Sequence, residues 1–336
     1  MMEEISTSNQ AKASLSQLIK WQYPWISEAK IASYDYDPVS LHQEIIDYFN
    51  YMCPTRAEHV SRIDLIERVQ KVVSRTWPNA SFEVFGSSKT GLYLPTSDID
   101  LCVSLEDLGD TQADTIRVLH SLRNAILSDG ICSSDFITVL EEAQTPIIKC
   151  TDRVTLYKID IGINLRNHSE SAKFTAQQIR KYPQLPYLLF VLKQFLSLRQ
   201  LLEVYTGGIN SYSLVLMIVN MLQLHPRKAD WQNQEVNLGV LLIEFFELYG
   251  KNFNHERCTI NVLDGGFYEP RCYNDSANVN YSTLSIQDPV DKDNDIGKSD
   301  FSMVKLTFHQ AYLQLCRVIY DYIPFIPKPG KKRFVC

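Results

Sequence analysis

The sequence FGSSKTGLYLPTSDIDLCV occupies residues 85–103 and carries the strongest structural signal in the chain. A short strand-like run over 82–85 leads into it and stops at Gly86-Ser87, where a turn or a helix is expected to begin. Glycine and proline then interrupt the chain, and from Asp98 onward polar and apolar residues alternate. Alternation with a period of two is typical of a strand that buries one face. The stretch therefore predicts a strand, a turn or helix, and a second strand of an α/β sheet.

Two carboxylates in this stretch point the same way. Side chains alternate across a strand, so Asp98 and Asp100 share one face while Ile99 and Leu101 point into the core. Like charges this close repel each other unless a cation lies among them. Hard divalent ions such as Mg²⁺ take carboxylate oxygens and often share them with substrate phosphates.

A third carboxylate lies in a later strand-like run, Leu156–Ile163, where Asp160 falls on the polar face opposite the isoleucines. Three carboxylates on adjacent strands predict a two-metal site. One metal activates an attacking hydroxyl, and the other holds a triphosphate and stabilises the leaving pyrophosphate. The N–H groups and hydroxyl of Gly86-Ser87 can hold phosphate oxygens. A lone D-x-D pair is usually a solvated pair, but the full ordered set favours catalysis.

The rest of the chain divides into an α/β part followed by a helical part. Helices are expected at about 41–52, 60–77, 110–127, 185–202, 212–224, 238–249 and 303–322, and strands at 136–140, 146–150 and 156–163. The helix at 212–224 is apolar nearly all round, which predicts burial. Residues 254–300 are rich in Asn, Asp and Gly and are expected to be loops. Residues 1–38 form an arm whose aromatic side chains pack on the body or dock a partner.

Composition excludes several classes of protein. The 336 residues leave room for about two domains. The 33 Lys+Arg against 39 Asp+Glu give a net charge of −6, so extended nucleic-acid contact must be local or supplied by a partner. No apolar stretch is long enough for a transmembrane helix, and the acidic, polar N-terminal residues lead us to expect no secretory signal. The eight cysteines form no C-x-x-C pair, which argues against structural zinc, and Cys102 and Cys150 are expected to be small buried apolar residues.

The ordered set of Phe85-Gly86-Ser87, Asp98-Ile99-Asp100 and Asp160 resembles the signature of nucleotidyltransferases of the DNA polymerase β superfamily. Longer stretches are more specific. TPIIK, KIDIGIN, YTGGINSYSL, LQLHPR, NLGVLLIEFFELYGKNFN and QDPVDKDNDIGKSDF resemble the Trf-type noncanonical poly(A) polymerases, which are the tailing enzymes of the TRAMP surveillance complex and its relatives. The resemblance covers about residues 20–320.

This resemblance implies an α/β + α architecture with a cleft between two domains. A polymerase-β-like catalytic domain, with a mixed sheet and flanking helices, would cover 77–182. A mostly helical central domain would be discontinuous, built from 39–76 plus 183–330. Residues 1–38 would be an N-terminal arm and 331–336 a tail.

The resemblance also implies nucleotide contacts in the helical part. Lys193 and Ser211 would bind phosphate, and Tyr212 would stack on the base. From the residues alone, Lys193 could equally be a solvated helix lysine and Tyr212 a core aromatic. Asn294 and Lys298 would select adenine, because an Asn amide both donates and accepts hydrogen bonds.

Four positions qualify the resemblance. Related uridylyltransferases have His where Asn294 stands, so the sequence favours ATP. Asn164 matches the D-[IV]-x-[FI]-N form of part of the family and would also contact the nucleotide. The family often has Arg at the position of Lys298 and Gly at that of His168, and the second departure bears on the ribose side.

The implied function is template-independent 3′-adenylylation of RNA by ATP. Asp98 and Asp100 would bind two Mg²⁺ (or Mn²⁺) ions, and Asp160 would help to ligate one and draw the proton from the RNA 3′-hydroxyl. By the same resemblance, the chain would be the monomeric catalytic subunit of a complex, with a zinc-knuckle RNA-binding adaptor and a helicase. The resemblance implies a nuclear location, and a cytoplasmic location is the alternative. The alternatives are a uridylyl- or mixed-nucleotide transferase and a catalytically idle scaffold of an RNA-decay complex.

Overall fold

The structure is a computed structural model. It describes residues 23–27, 30, 34–106, 108–109, 111–143, 145–165, 167–204, 207–228, 236–271, 282–297 and 299–322. Two compact units divide the chain. The sheet unit contains residues 52–183 and 288–293, and the helical unit contains residues 1–51, 184–287 and 294–336.

Seven of the α-helices in the described residues match helices predicted from apolar periodicity, and two, Gly86–Thr90 and His168–Lys181, were not predicted from it. The helices are α1 Pro38–Met52, α2 Arg56–Thr76, α3 Gly86–Thr90, α4 Gln112–Ser128, α5 His168–Lys181, α6 Leu185–Ser197, α7 Ser211–Leu224, α8 Leu238–Glu247 and α9 Ser302–Tyr322. None of these described helices is both long and apolar enough to cross a membrane.

A five-stranded mixed sheet forms the centre of the sheet unit. Its strands are β1 Ser81–Phe85, β2 Ile99–Ser104, β3 Ile137–Leu140, β4 Ile147–Thr151 and β5 Lys158–Ile163, in the order β1-β2-β5-β4-β3. The β2–β5 pair is parallel and the other three pairs are antiparallel. The predicted mixed sheet with flanking helices is therefore confirmed.

One face of this sheet carries the core of the unit. The isoleucines of β2 and β5, such as Ile99 and Ile161, pack with the apolar stripes of α2 and α4. Cys102 and Cys150 are both buried, as their apolar surroundings predicted. The opposite face is left for polar side chains, since residues along a strand alternate.

Helix α2 belongs to a different unit from the one predicted for it. The segment 39–76 was expected to belong wholly to the helical domain, but α2 belongs to the sheet unit. The reason is packing: Leu65, Val69 and Val73 are fully buried in the same core cluster as the strands. An amphipathic stripe shows that a helix buries one face, but it does not show which core receives it.

A buried ion pair also ties α2 to the sheet. Arg68 donates from Nη1 and Nη2 to the two carboxylate oxygens of Asp152, at 2.8 and 3.0 Å, in the turn between β4 and β5. Asp152 is fully buried and also accepts from Thr155 Oγ1 at 2.7 Å. Burial alone would raise the pKa of Asp152, but the hydrogen bonds from Arg68 and Thr155 outweigh it and hold that pKa below its usual value. The turn is therefore fixed against the helix.

In the helical unit, α7 is buried along most of its length. Its residues from Ser213 to Gln223 are all buried, which confirms the prediction from its all-round apolar character. The expectation of loops throughout 254–300 is wrong at two places, β6 Cys258–Asn261 and β7 Phe267–Pro270, which pair antiparallel. Strands of four residues in a polar segment are too short to show a clear alternation.

Part of the arm packs on α1. Trp25 donates from Nε1 to Glu44 at 3.2 Å, and its ring meets that of Tyr48 edge-on at 5.2 Å. Lys30 forms an ion pair with Asp47 at 2.7 Å. This agrees with aromatic side chains that pack on the body. Residues 1–22, 28–29 and 31–33 of the predicted arm and the whole predicted tail lie outside the described residues.

Candidate active site

Three adjacent strands place charged side chains side by side on the face opposite the core. Asp100 of β2 is in register with Asp160 of β5, and Asp160 is in register with Lys149 of β4. Side chains of residues directly opposite one another project from the same face of a sheet. The structure therefore brings together the carboxylates predicted from the two separate sequence runs.

Lys149 links the carboxylates. Its Nζ lies 2.7 Å from Asp160 Oδ2 and 3.9 Å from Asp98 Oδ2. All three side chains remain partly exposed. The sequence analysis did not single out Lys149; the available signal was a lysine placed between Ile148 and Cys150 in an otherwise apolar strand. Its ammonium offsets the repulsion between the acids.

The environment of Asp160 disfavours its charged form. Burial raises the pKa of Asp160, and the hydrogen bond and positive charge of Lys149 only partly offset this. The negative charge of Asp98 acts in the same direction as burial. Asp160 therefore keeps a pKa above the usual value for an aspartate in the metal-free protein, because its carboxylate is desolvated and faces a second acid.

The turn at Gly86 is fixed by the carboxylate beside it. Gly86 has a φ of +61°, a left-handed conformation that favours glycine. A Cβ atom built at this position would overlap the carboxylate of Asp100. Phe85, the residue before it, is in register with Asp100. Gly86, the first residue of α3, therefore lies directly against the carboxylate face, and Ser87 follows it in the helix.

Asn164 lies beyond the other end of β5. Its Nδ2 donates to the carbonyl of Leu105 at 3.0 Å, and its Oδ1 accepts from the Leu105 N–H at 2.7 Å. This pair of hydrogen bonds joins the ends of β2 and β5 and occupies both polar groups of the amide. The structure does not bring Asn164 to the three carboxylates, and its nucleotide contact stays a prediction.

His168 fills space beside β1. Its Nδ1 donates to the carbonyl of Leu165 at 2.8 Å, and its ring meets that of Phe85 at 5.4 Å. The Nε2 atom lies 3.4 Å from Glu83. The bulk of a histidine at this position, where the resembled family often has glycine, is therefore accommodated against the first strand.

The other predicted nucleotide-binding residues lie in the helical unit. Lys193, on α6, is 2% exposed, so it is not the solvated lysine that its sequence setting also allowed. Burying an ammonium is costly in free energy, which favours a specific role for this side chain. Ser211 and Tyr212 open α7 and are half-buried. Ser213 donates to the carbonyl of Ile296 at 3.4 Å and so joins the start of α7 to a later segment.

That later segment carries Asn294. Its neighbour Asp295 accepts from the N–H groups of Ile286 and Gly297, at 2.9 and 2.8 Å, and from Ser285 Oγ at 2.8 Å. These hydrogen bonds fix the backbone next to Asn294, which is half-buried. The sequence analysis missed this supporting role of Asp295. The other predicted adenine-selecting residue, Lys298, lies outside the described residues.

The carboxylate face is chemically suited to a divalent cation. Among the described residues, no three carboxylate, histidine or cysteine side chains meet as a ready-made metal cluster. The ammonium of Lys149 nevertheless shows that Asp98 and Asp160 accept a cation between strands. Carboxylate oxygens are the hard ligands that Mg²⁺ and Mn²⁺ take. These residues therefore fit the metals that the sequence analysis expected.

A mixed sheet with a Gly-Ser turn against paired carboxylates defines a polymerase-β-like nucleotidyltransferase fold. Two family models match the chain. "Poly(A) RNA polymerase, mitochondrial-like, central palm domain" covers residues 41–173, and "Cid1 family poly A polymerase" covers residues 237–294. The first match contains all three predicted catalytic aspartates.

Curated relatives identify the family. The chain is 37% identical over 286 residues to Trf4-2 of Drosophila melanogaster, named as an inactive noncanonical poly(A) RNA polymerase, with 83% of this chain and 69% of that protein covered. It is 38% identical over 289 residues to poly(A) RNA polymerase CID14 of Cryptococcus neoformans, with 85% of this chain and 37% of that protein covered. Poly(A) RNA polymerase cid14 of Schizosaccharomyces pombe is 35% identical over 339 residues, with 98% and 48% covered. The chain thus spans between about a third and two thirds of these relatives.

Solved structures agree. The polymerase core of TRAMP, an RNA surveillance complex, superposes with a TM-score of 0.76 at 33% identity, covering 89% of this chain and 93% of that chain. The Cid1 poly(U) polymerase superposes with a TM-score of 0.67 at 21% identity, covering 84% and 96%, and supports the fold alone. The chain belongs to the Trf-type noncanonical poly(A) polymerases.

The raised pKa of Asp160 predicts a pH-dependent stability in metal-free protein. Between the unfolded-state value of 3.8 and the higher folded-state pKa, the folded protein holds its proton more tightly, so the free energy of unfolding falls as pH rises through this window. Asp160→Asn lacks this component. Its free energy of unfolding, relative to wild type, should therefore rise with pH, measured by urea unfolding in EDTA. Asp135→Asn, at an exposed position, is the control. If the difference in the free energy of unfolding between wild type and Asp160→Asn does not change with pH, Asp160 does not have a raised pKa in the folded protein.

Proposed function

We propose that the chain is a template-independent RNA 3′-adenylyltransferase. The RNA 3′-hydroxyl attacks the α-phosphorus of ATP, the new phosphodiester bond forms, and pyrophosphate leaves. The observation that carries this proposal is a set of three neighbouring aspartates: Asp100 and Asp160 are in register on one sheet face, and Asp98, which directly precedes β2, is joined to Asp160 through Lys149. The family of the chain supports the reaction class.

Divalent metal, Mg²⁺ or Mn²⁺, would be held by Asp98 and Asp100, with Asp160 helping to ligate one ion. When bound, the metal activates the attacking hydroxyl and stabilises the leaving pyrophosphate. Asp160 accepts the proton of the RNA 3′-hydroxyl. Lys149 keeps the carboxylates in place before metal arrives, because its ammonium compensates their charge. Gly86 and Ser87 contact the nucleotide phosphates from the turn beside Asp100.

We assign nucleotide choice to the helical unit. Lys193 and Ser211 bind phosphate, and Tyr212 stacks on the base. Asn294 and Lys298 select adenine. Asn rather than His at position 294 favours ATP over UTP and distinguishes this proposal from the uridylyltransferase alternative. The ordered hydrogen bonds around Asp295 support a base-selecting role, since they fix the backbone beside the Asn294 amide.

The idle-scaffold alternative needs attention because the Drosophila relative is named inactive. In this chain, Asp98 and Asp160 contact the same lysine, and Asp100 is in register with Asp160. The pKa of Asp160 stays above its usual value even beside Lys149, because the carboxylate is desolvated and faces the charge of Asp98. Lys149 thus compensates these acids only in part, which supports a site that takes a further cation rather than an idle scaffold.

The proposal is tested by incubating purified protein and Mg²⁺ with a labelled oligo(A) primer and each of the four NTPs. Wild type should extend the primer with ATP. Asp100→Asn keeps the shape of the side chain but loses the charge that holds metal, so extension should fall by at least about 10²-fold while the fold persists, since metal supplies several kcal/mol of transition-state stabilisation. Asp135→Asn makes the same charge change at an exposed position and should keep wild-type activity. Extension by Asp100→Asn at the wild-type rate would show that the site is misassigned.

Nucleotide choice should depend on Asn294. In Asn294→His, the ratio of kcat/KM for ATP to that for UTP should fall by at least about tenfold, because a mismatched base leaves polar groups unpaired. Direct competition between ATP and UTP measures the ratio. Asn252→His, an exposed position of the same unit, is the control. An unchanged ratio in Asn294→His would remove this residue from base selection.

We propose that a partner protein supplies most of the binding of the RNA substrate. The net charge of −6 leaves few phosphate contacts, and a basic RNA-binding adaptor, with a helicase in the same nuclear complex, would raise the local RNA concentration. Such a picture agrees with the solved TRAMP core, which is part of an RNA surveillance complex. Partner contact is assigned to the helical unit or the aromatic arm.

This assignment predicts weak binding of RNA by the isolated chain. Each phosphate contact to single-stranded RNA contributes about −0.7 to the slope of log K against log salt, so few contacts should give a slope shallower than about −2. Anisotropy of a labelled primer across a salt series measures the slope. Tight binding with a steep slope would reveal a basic RNA surface on the chain itself and contradict the need for an adaptor.

A further inference from the structure

A buried arginine stands behind the carboxylate face. Arg62 of α2 is 3% exposed, and its guanidinium lies between the rings of Tyr93 and Tyr157. The distance from Arg62 Cζ to the ring centroid is 4.4 Å for Tyr93 and 4.6 Å for Tyr157. A planar guanidinium stacks on two aromatic faces in a way that an ammonium cannot reproduce.

The two tyrosines belong to the segments that lead into the two catalytic strands. Tyr93 lies in the segment between α3 and β2, upstream of Asp98, and Tyr157 directly precedes β5, which carries Asp160. A single guanidinium therefore connects the chain just before both carboxylate-bearing strands.

Arg62 also holds the turn that ends at Asp98. Its Nη2 donates to the carbonyls of Pro95 and Ser97, at 3.1 and 2.9 Å. The turn is closed by two hydrogen bonds between Leu94 and Ser97, one from the Ser97 N–H to the Leu94 carbonyl and one from the Leu94 N–H to Ser97 Oγ, both at 2.9 Å. The backbone immediately before Asp98 is thus fixed from α2.

This support matters because the sheet does not itself fix Asp98. The paired residues of β2 and β5 begin at Ile99 opposite Ile159, so Asp100 is held by the ladder and Asp98 precedes it. The position of Asp98 relative to Asp160 therefore depends on the turn that Arg62 holds. The Arg62 charge also interacts electrostatically with Asp98.

We infer that Arg62 is a positioning residue for the transfer reaction: it sets the placement of Asp98 relative to Asp160 and so the affinity of the site for divalent metal. The inference rests on the proposed function for its kinetic consequence, but its metal-binding consequence can be measured without turnover. An apolar side chain would fill the same core position without burying a charge, so stability alone does not explain an arginine here.

A second arginine of the same helix provides the matched control. Arg68 also reaches from α2 to the turn before β5, where it pairs with the buried Asp152. Its hydrogen bonds end at Asp152 and Asp64 and do not reach the turn before Asp98. Loss of Arg68 therefore perturbs the packing of α2 on the sheet without releasing Asp98.

The experiment compares Arg62→Lys, Arg68→Lys and wild type. Mn²⁺ binding to nucleotide-free protein is measured by EPR titration. The values of kcat and KM for ATP are measured by extension of an oligo(A) primer, and Tm is measured by calorimetry. Arg62→Lys should bind Mn²⁺ about 10-fold more weakly and lose about 10–100-fold in kcat, the range typical of residues that orient metal ligands. KM for ATP should stay near the wild-type value. Arg68→Lys should lower Tm but leave Mn²⁺ affinity and kcat unchanged.

Ser97→Ala keeps the inference testable if Arg62→Lys does not fold. It removes only the side-chain hydrogen bond that closes the turn, and should weaken Mn²⁺ binding several-fold with Tm near wild type. Wild-type Mn²⁺ affinity in Arg62→Lys, or equal loss of affinity in Arg68→Lys, overturns the inference. If Arg62→Lys cannot be folded, wild-type affinity in Ser97→Ala overturns it. Wild type that binds Mn²⁺ but transfers no nucleotide refutes the proposed function alone, and wild type that binds no Mn²⁺ refutes both.

Discussion

Charge compensation between Lys149 and the carboxylates of Asp98 and Asp160 constrains the whole sheet unit. Two like charges 4 Å apart repel by about 4 kcal/mol at an effective dielectric constant of 20, so acids on one face need a cation among them. The ammonium can supply it only if β4, β5 and β2 pair in the observed register. A slip of one residue would turn every side chain of a strand to the opposite face. The strand register must therefore be kept for Lys149 to lie beside Asp98 and Asp160.

The opposite face of the sheet explains how that register is held. It is packed by α2 and α4, and α2 contributes apolar side chains together with Arg62, which holds the turn before β2. Arg68 joins α2 to the sheet unit through Asp152 and does not reach the carboxylate face. Through Arg62, the helix that precedes the sheet in sequence contacts the chain just before both catalytic strands. The carboxylates lie on one face of the sheet, and the helices packed on the other face hold the strands that position them.

The sequence predicted those features that depend on local periodicity. The alternation around Asp98 and Asp100, and the apolar run around Asp160, were long enough to place Asp100 and Asp160 on strands, whereas Asp98 was predicted on the same strand as Asp100 and lies just before it. Features that depend on which distant surfaces meet were not predictable in this way. The burial of Lys193 and the partner of Lys149 follow from tertiary packing and cross-strand register. The assignment of α2 to the sheet unit likewise depends on the core that its apolar stripe meets, which a stripe alone does not specify.

The most direct test of this account locates metal in the protein. Crystals grown with Mn²⁺ and a non-transferable ATP analogue would be measured at the manganese absorption edge. The account predicts anomalous peaks at the carboxylates of Asp98 and Asp100, with Asp160 contributing and the Lys149 ammonium displaced from the 2.7 Å contact that it makes with Asp160 in metal-free protein. Anomalous peaks away from these aspartates, with the Lys149–Asp160 contact intact, would contradict it.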